Sequence, residues 1–196
     1  MDFSEQELAV LGDQRFFILK KAVTDKLDRL FADNKERWSD VIQTWNLPPL
    51  RIDTARGKIF RGENYRGFPY TLMDFPRHFS QEYVFALRTM CWWGHEFSLT
   101  LHVQGSAFDF YKDRLEDRLN RLMKSGILYC VADQPWEYHL ETSNYQPLEE
   151  LSLKAAIQKS EELRFIKLAR TWPLDQVEGF DTFSLETVRV LGEFLK

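Results

Sequence analysis

The chain has 196 residues, a formal net charge of −4, 44% hydrophobic residues and 29% charged residues. This composition is that of an ordinary folded domain, and the acidic balance argues against nucleic-acid binding. The chain lacks an apolar run of about 18 residues and a secretory signal, and its two cysteines are too few for a disulfide framework. We therefore expect a soluble, cytoplasmic protein with no membrane-spanning segment.

Residues 1–46 are predicted to be helical. Ser4 and Glu7 fit a capping box, which predicts a short helix that ends near Gly12. Beyond it, apolar side chains recur every three or four positions. This longer helical segment is expected to end before Pro48, because the residue that precedes a proline avoids the α region.

Residues 51–141 change to the two-residue period of strands, which a helix at about 106–125 interrupts. Along the strand that ends at Val103, alternate side chains are apolar and form a core face. The side chains between them, including Thr100 and His102, form a polar face that is either solvated or lines a site. The strands are expected at 58–61, 68–75, 82–91, 95–103, 127–131 and 136–140.

Residues 151–196 return to a helical pattern, with one helix to about Arg170, a break at Trp172 and Pro173, and a last helix from about Ser184. Because the strands are grouped rather than each followed by a helix, the order of elements predicts an α+β fold. We expect a mainly antiparallel sheet of about five to six strands, packed by N-terminal, central and C-terminal helices in a single domain.

An Arg-Gly pair recurs every five residues, at Arg56, Arg61 and Arg66. Between Arg51 and Arg66 the chain has five basic and two acidic residues, a local positive excess on an acidic protein. Guanidinium groups beside glycines, with Tyr65 next to them, could bind a carboxylate or phosphate, since glycine lets the backbone approach a ligand and arginine bonds such anions through two donors. The alternative is that the glycines only bound a turn and the arginines are solvated.

Tyr70, Asp74, Arg77 and His78 form a second candidate group at the end of a predicted strand. A carboxylate close to an imidazole and a guanidinium can orient a general base or anchor a polar ligand. The alternative is a structural ion pair between Asp74 and either Arg77 or Arg88.

Trp92 and Trp93 lie at the tip of a predicted hairpin, where adjacent side chains point to opposite faces of the sheet. Either one of them is exposed for stacking on a ligand or partner, or each covers one side of the sheet. The four histidines lack the spacing of a metal site, and no nucleotide-binding, hydrolase or kinase motif is present. We therefore predict no metal and no cofactor.

Positive charge interleaved with aromatic residues, which make up 15% of the chain, predicts a protein that binds a small ligand or anion on the open face and edge of its sheet. One alternative is a non-catalytic scaffold, such as a homodimer joined through tryptophans or the C-terminal helices. Another is an enzyme that uses Asp74 and His78 as an acid–base pair. The side chains predicted to form the ligand site are Arg61, Tyr65, Arg66, Tyr70, Asp74, Arg77, His78, Arg88, Trp92 and Trp93.

Overall fold

The N-terminal segment is helical, as its pattern predicts. In the computed structural model, which describes all 196 residues, helix α1 (Glu5–Gly12) begins with the capping box. The Ser4 hydroxyl accepts a hydrogen bond from the Glu7 amide at 3.2 Å, and the Glu7 carboxylate accepts one from the Ser4 amide at 2.7 Å. Helix α2 (Gln14–Gln43) follows and buries side chains only from Leu27 onward. Although α2 has 30 residues, none of the helices is both long and apolar enough to cross a membrane.

Seven strands form one antiparallel sheet, one strand more than the most that the sequence predicts. They are β1 (Lys58–Tyr65), β2 (Phe68–Phe79), β3 (Tyr83–Trp92), β4 (Glu96–Gly105), β5 (Leu128–Cys130), β6 (Tyr145–Pro147) and β7 (Phe165–Pro173). Their order across the sheet is β1-β2-β3-β4-β7-β5-β6, so β4 lies at the centre with β7 beside it. Strands β1 to β4 pair consecutively as antiparallel neighbours, which the grouping of the strands in the sequence predicts.

Strand β7 lies in a segment that the sequence pattern assigned to a helix, and this prediction was wrong. Five consecutive side chains from Phe165 to Ala169 are buried, because β7 runs through the interior of the sheet and both of its faces are covered. A strand covered on both faces has a continuous apolar run without alternation. Such a run does not distinguish a strand from a buried helix.

Two other segments differ from the prediction. The helix expected at 106–125 is two short helices, α3 (Ser106–Tyr111) and α4 (Leu115–Asn120), because the chain turns at Arg114 with a φ of 63°. The strand expected at 136–140 is irregular chain. The partner of β5 is β6 instead. Residues 136–140 do not extend the edge of the sheet, because Tyr138 among them packs on top of the sheet.

One face of the sheet, here called the helix face, is covered by helices and holds the main core of 33 buried residues. The alternate side chains of β4 from Phe97 to Val103 belong to this core, as predicted. Trp38 of α2 is also fully buried in it. The remaining helices are α5 (Leu153–Leu163) and α6 (Phe180–Leu195), which the short 3₁₀ helices Leu148–Glu150 and Leu174–Gly179 precede.

The opposite face, here called the open face, is crossed by residues 131–144, here called the cover segment. These residues form no helix or strand, yet Tyr138 and His139 within them are buried. The polar side chains of β4 lie beneath this segment, and Thr100 and His102 are 1% and 0% exposed. The polar face of β4 is therefore not solvated but enclosed.

Gly105→Ala is expected to lower the free energy of unfolding by at least about 2 kcal/mol. Gly105 has a φ of 64° and a ψ of −134°, a conformation that side chains with a Cβ rarely adopt, and an added Cβ would collide with the Glu82 carbonyl oxygen. Urea unfolding followed by circular dichroism measures the change. Gly12→Ala is the matched control, since its Cβ would meet open space. Equal effects of the two substitutions would contradict the steric argument.

Candidate functional site

The open face carries an ion pair that the cover segment removes from solvent. Asp74 of β2 and Arg88 of β3 are register partners. The Arg88 Nε and Nη2 atoms donate to the two Asp74 carboxylate oxygens at 2.8 and 2.9 Å, and Asp74 is 1% exposed. Because both oxygens are engaged in a bidentate arrangement, Asp74 neutralises Arg88 and orients its guanidinium plane.

Tyr138 of the cover segment lies between two cations. The Arg88 guanidinium carbon is 4.2 Å from the ring centroid, and the Lys167 ammonium nitrogen is 4.4 Å from it. Both distances fall within the range of cation–π attraction, which strengthens when the partners are desolvated. Burial raises the pKa of the Tyr138 hydroxyl, which therefore stays protonated and able to donate a hydrogen bond.

Lys167, in the interior of the sheet on β7, is 0% exposed and forms no salt bridge. Its ammonium donates to the backbone carbonyl of Glu137 and lies 5.2 Å from the centroid of the Tyr145 ring. Burial lowers the pKa of Lys167 from 10.5 to about 8, although the nearby Cys130 thiol acts in the opposite direction. A lysine in these surroundings changes charge close to physiological pH.

His102 links this lysine to the surface. It is the register partner of Lys167 on the neighbouring strand. Its Nδ1 is 2.9 Å from the Tyr138 hydroxyl, and its Nε2 is 3.1 Å from the Gln104 side-chain oxygen. Burial, together with the Lys167 charge, lowers the pKa of His102 to about 3. The imidazole is therefore neutral, and it accepts from Tyr138 while it donates to Gln104.

A groove of about 630 Å³ opens at the Gln104 end of the open face. Its walls include Phe79 and Trp136, and Arg164 lies at its rim. Trp136 is 52% exposed, and its ring centroid is 5.5 Å from that of His102. Two of the residues that line the groove, Trp136 and Gln104, therefore contact the buried His102.

Several of the predicted site residues do meet on the open face, where they fasten the cover segment. The Tyr65 hydroxyl accepts from the amides of Tyr138 and His139 at 2.8 and 3.0 Å and donates to the Glu137 carboxylate at 2.9 Å. The Arg66 guanidinium is 3.1 Å from the His139 ring nitrogen Nδ1. These two residues hold the segment that covers the site.

The other predicted residues on the open face provide aromatic packing and positive charge. The Tyr65 ring centroid is 6.2 Å from that of Tyr70 and 5.5 Å from that of Trp92, which is buried. The Arg77 guanidinium is 5.9 Å from the centroid of Phe79, and that of Arg88 is 5.8 Å from the same ring. Two of the predicted arginines therefore flank a wall of the groove.

Three of the predicted residues lie on the helix face and are not brought to this site. Arg61 pairs with Asp28 of α2, and Trp93 packs against the main core. His78 stacks on Tyr83, with ring centroids 4.2 Å apart. Since Asp74 is on the open face, the sheet separates it from His78. Trp92 and Trp93 each cover one side of the sheet, which is the second of the two arrangements considered for them.

Sequence reasoning missed Lys167, Tyr138 and Trp136. Lys167 was assigned to a helix, although a lone charge inside the apolar run from Phe165 to Ala169 is a signal that could have singled it out. Tyr138 and Trp136 were assigned to a strand, and no local pattern indicates that irregular chain turns back over the sheet.

Comparison of the chain with models of protein families, with curated proteins and with solved structures finds no match.

Lys167→Met is expected to be more stable than the wild type at pH 7, and this advantage is expected to shrink as the pH rises from about 8 to 10.5. Below pH 8 Lys167 is protonated in both the folded and the unfolded wild type, so the folded state bears the full cost of burying the charge. Between the two pKa values the unfolded lysine still binds a proton that the folded one has lost, so the free energy of unfolding rises with pH, by on the order of 3 kcal/mol in total.

Urea unfolding of the wild type and of Lys167→Met across this pH range measures the difference between their free energies of unfolding. Groups that titrate alike in the two proteins cancel in this difference. Lys154→Met, at an exposed position of α5, is the control and should give a difference that does not vary with pH. A constant difference for Lys167→Met would show that the buried lysine keeps its ordinary pKa.

Proposed function

We propose that the chain binds a small ligand with an anionic group and a planar apolar body on the open face of its sheet. The anionic group binds the Lys167 ammonium, and the body lies in the groove against Trp136 and Phe79. The observation that carries the proposal is a fully buried lysine without an acidic partner, next to a groove of about 630 Å³.

An anion suits Lys167 because the protein leaves this charge uncompensated. Desolvating an ammonium is costly unless a counter-charge and hydrogen bonds replace its water. Arg88 has Asp74 for this purpose, whereas Lys167 contacts two aromatic rings and the Glu137 carbonyl, and the Glu137 carboxylate acts on it without forming a salt bridge. A carboxylate or phosphate oxygen would supply the missing charge and accept from the two ammonium hydrogens that the carbonyl does not use.

The groove favours an apolar body of modest size. Its volume lies within the range of about 300–1,000 Å³ that is usual for small-molecule sites. The exposed face of Trp136 and the Phe79 ring offer stacking surfaces. The guanidinium group of Arg77, which forms no salt bridge, adds positive potential on the same side, whereas that of Arg88 is neutralised by Asp74.

We infer that a ligand reaches Lys167 from the groove through a local movement of the cover segment. Trp136 is the part of that segment nearest the groove, and the Tyr65 hydroxyl fastens the segment one to three residues further along. Irregular surface segments with few buried contacts open more readily than the strands beneath them. Rotation of Trp136 away from His102 would therefore open a path while the Tyr65 contacts hold.

The proposal is for binding rather than catalysis, because the sheet separates Asp74 from His78. We also propose a cytoplasmic location, as expected from the sequence, because Cys91 and Cys130 are both free, buried thiols and thiols stay reduced in the cytoplasm.

A thermal-shift screen of aromatic and aliphatic carboxylates and phosphate monoesters is expected to give a hit among the aromatic anions. A ligand at 100 times its dissociation constant stabilises a protein by about 2.7 kcal/mol. For a chain of this size, the melting temperature should rise by about 5–10 °C. Trp136→Ala and Lys167→Met should each abolish the response, because one removes the stacking surface and the other the charge.

Phe110→Ala is the matched control for the tryptophan, since Phe110 is also an exposed aromatic residue but lies on α3 outside the groove. Its response should equal that of the wild type. A flat response of the wild type across the whole panel, or a hit that survives both Trp136→Ala and Lys167→Met, would reject the proposed site.

The affinity for a carboxylate hit is expected to be constant below pH 8 and to fall by up to about tenfold per pH unit above it. Above its pKa of about 8 in the free protein, Lys167 must first take up a proton before it binds an anion. Isothermal titration calorimetry in two buffers of different ionisation enthalpy measures this proton uptake directly. An affinity independent of pH through this window would place the anionic group elsewhere.

A further inference from the structure

Residues 1–19, here called the arm, are all exposed. They include α1, which has no buried side chain, and the first residues of α2. Of the fourteen large hydrophobic side chains that are exposed on the whole chain, ten lie between residues 1 and 23. They are Met1, Phe3, Leu8, Val10, Leu11, Phe16, Phe17, Ile18, Leu19 and Val23.

The arm is apolar on more than one side. The four consecutive residues from Phe16 to Leu19 are all large, apolar and exposed. Consecutive residues of a helix point about 100° apart, so these four surround most of its circumference. A helix that is apolar all round is found buried, and a helix of the eight residues of α1 is marginal unless it packs on something. The arm therefore needs an apolar partner that covers several of its sides.

We infer that the arm is the interface between two copies of this chain, which pair their arms in antiparallel orientation about a two-fold axis. The distribution of charge along the arm and the next turns of α2 favours this partner. Residues 1–19 carry four acidic side chains and one basic one, whereas residues 20–29 carry four basic side chains and two acidic ones. A second copy in antiparallel orientation sets each acidic part beside the basic part of its partner, and a two-fold axis satisfies both pairings at once.

Some of these charges have no salt-bridge partner within their own chain. Asp2 and Glu5 on the acidic part are free of such contacts, as are Lys26 and Arg29 on the basic part. By contrast, Lys20 is already paired with Glu63 of β1. The unpaired side chains are therefore of opposite sign at the two ends of the apolar stretch.

The shape and area of the arm also suit a second copy. Between α1 and the start of α2 lies a cavity of about 550 Å³ whose apolar lining is Phe3, Val10, Leu11 and Phe17, large enough to receive side chains of the partner's arm. Exposed apolar patches beyond a few hundred Å² mark interaction surfaces. Two arms with nine large exposed side chains each, together with Val23 beyond each arm, approach the roughly 800 Å² per partner of a standard protein interface.

A membrane surface is a less suitable partner, because helices that bind membranes combine an apolar face with lysine and arginine, and the arm is acidic. Anionic lipid would repel the four acidic side chains that surround its apolar residues. Vesicle binding is accordingly an outcome that the experiment distinguishes.

Size-exclusion chromatography with light scattering, over a concentration series of the full chain, is expected to show a dimer. Ile18→Asp should raise the dimer dissociation constant at least about tenfold, because it places a charge in the apolar contact. The circular dichroism spectrum and the melting temperature of the chain should change little, since Ile18 is 68% exposed. Val177→Asp is the control: Val177 is also exposed but lies outside the arm, and this variant should dimerise like the wild type.

A charge exchange tests the antiparallel pairing itself. Lys26→Glu with Arg29→Glu should weaken the dimer, and adding Asp2→Lys with Glu5→Lys to the same chain should restore it. A wild type that stays monomeric at all concentrations, or an Ile18→Asp variant that dimerises like the wild type, would overturn the inference. A monomer that floats with phosphatidylserine-containing vesicles would overturn it as well and would identify lipid as the partner. Failure of the charge exchange to restore the dimer would overturn the antiparallel arrangement.

Discussion

The attraction between the Lys167 ammonium and the rings of Tyr138 and Tyr145 determines how the open face is built. An ammonium in the interior of a sheet is not solvated by water, so neighbouring side chains have to stabilise its positive charge. Burial and the Lys167 charge keep His102 neutral, and burial keeps the Tyr138 hydroxyl protonated while the face of its ring meets the ammonium. Removal of the cover segment would expose all of these groups together. The segment is therefore as much a part of the polar interior as the strands are.

The two faces of the sheet have different roles: the helix face stabilises the fold, and the open face carries the polar and titratable side chains. On the helix face, 33 buried residues form a continuous apolar core that fixes the positions of the strands. On the open face the same strands carry an ion pair, a neutral histidine and a lysine whose charge depends on pH. The rigid core places these side chains, and one irregular segment decides whether solvent or a ligand reaches them. Such a combination is common in binding sites, where side chains on a firm scaffold face a movable loop.

The sequence predicted the fold well wherever one side of an element faces the core and the other does not. The alternation along β4 and the capping box at Ser4 are local signals, and both describe the structure correctly. Strand β7 carried no such signal, because burial on both faces removes the alternation. The buried polar residues of the open face depend on contacts such as that of Tyr65 with Tyr138, which are 73 residues apart in the chain. No periodicity encodes contacts of this kind, so Tyr65 could be singled out as a candidate but its role as an anchor could not.

The same anchor has a consequence for the order in which the chain folds. The Tyr65 hydroxyl can bond the cover segment only after β1 and β2 have formed their hairpin, and Tyr138 can lie over Lys167 only after β7 has joined β4. Docking of residues 131–144 thus depends on contacts of long sequence separation, which form late. The open face therefore excludes water only after these strands have paired, and the irregular segment that covers it opens more readily than the strands beneath it.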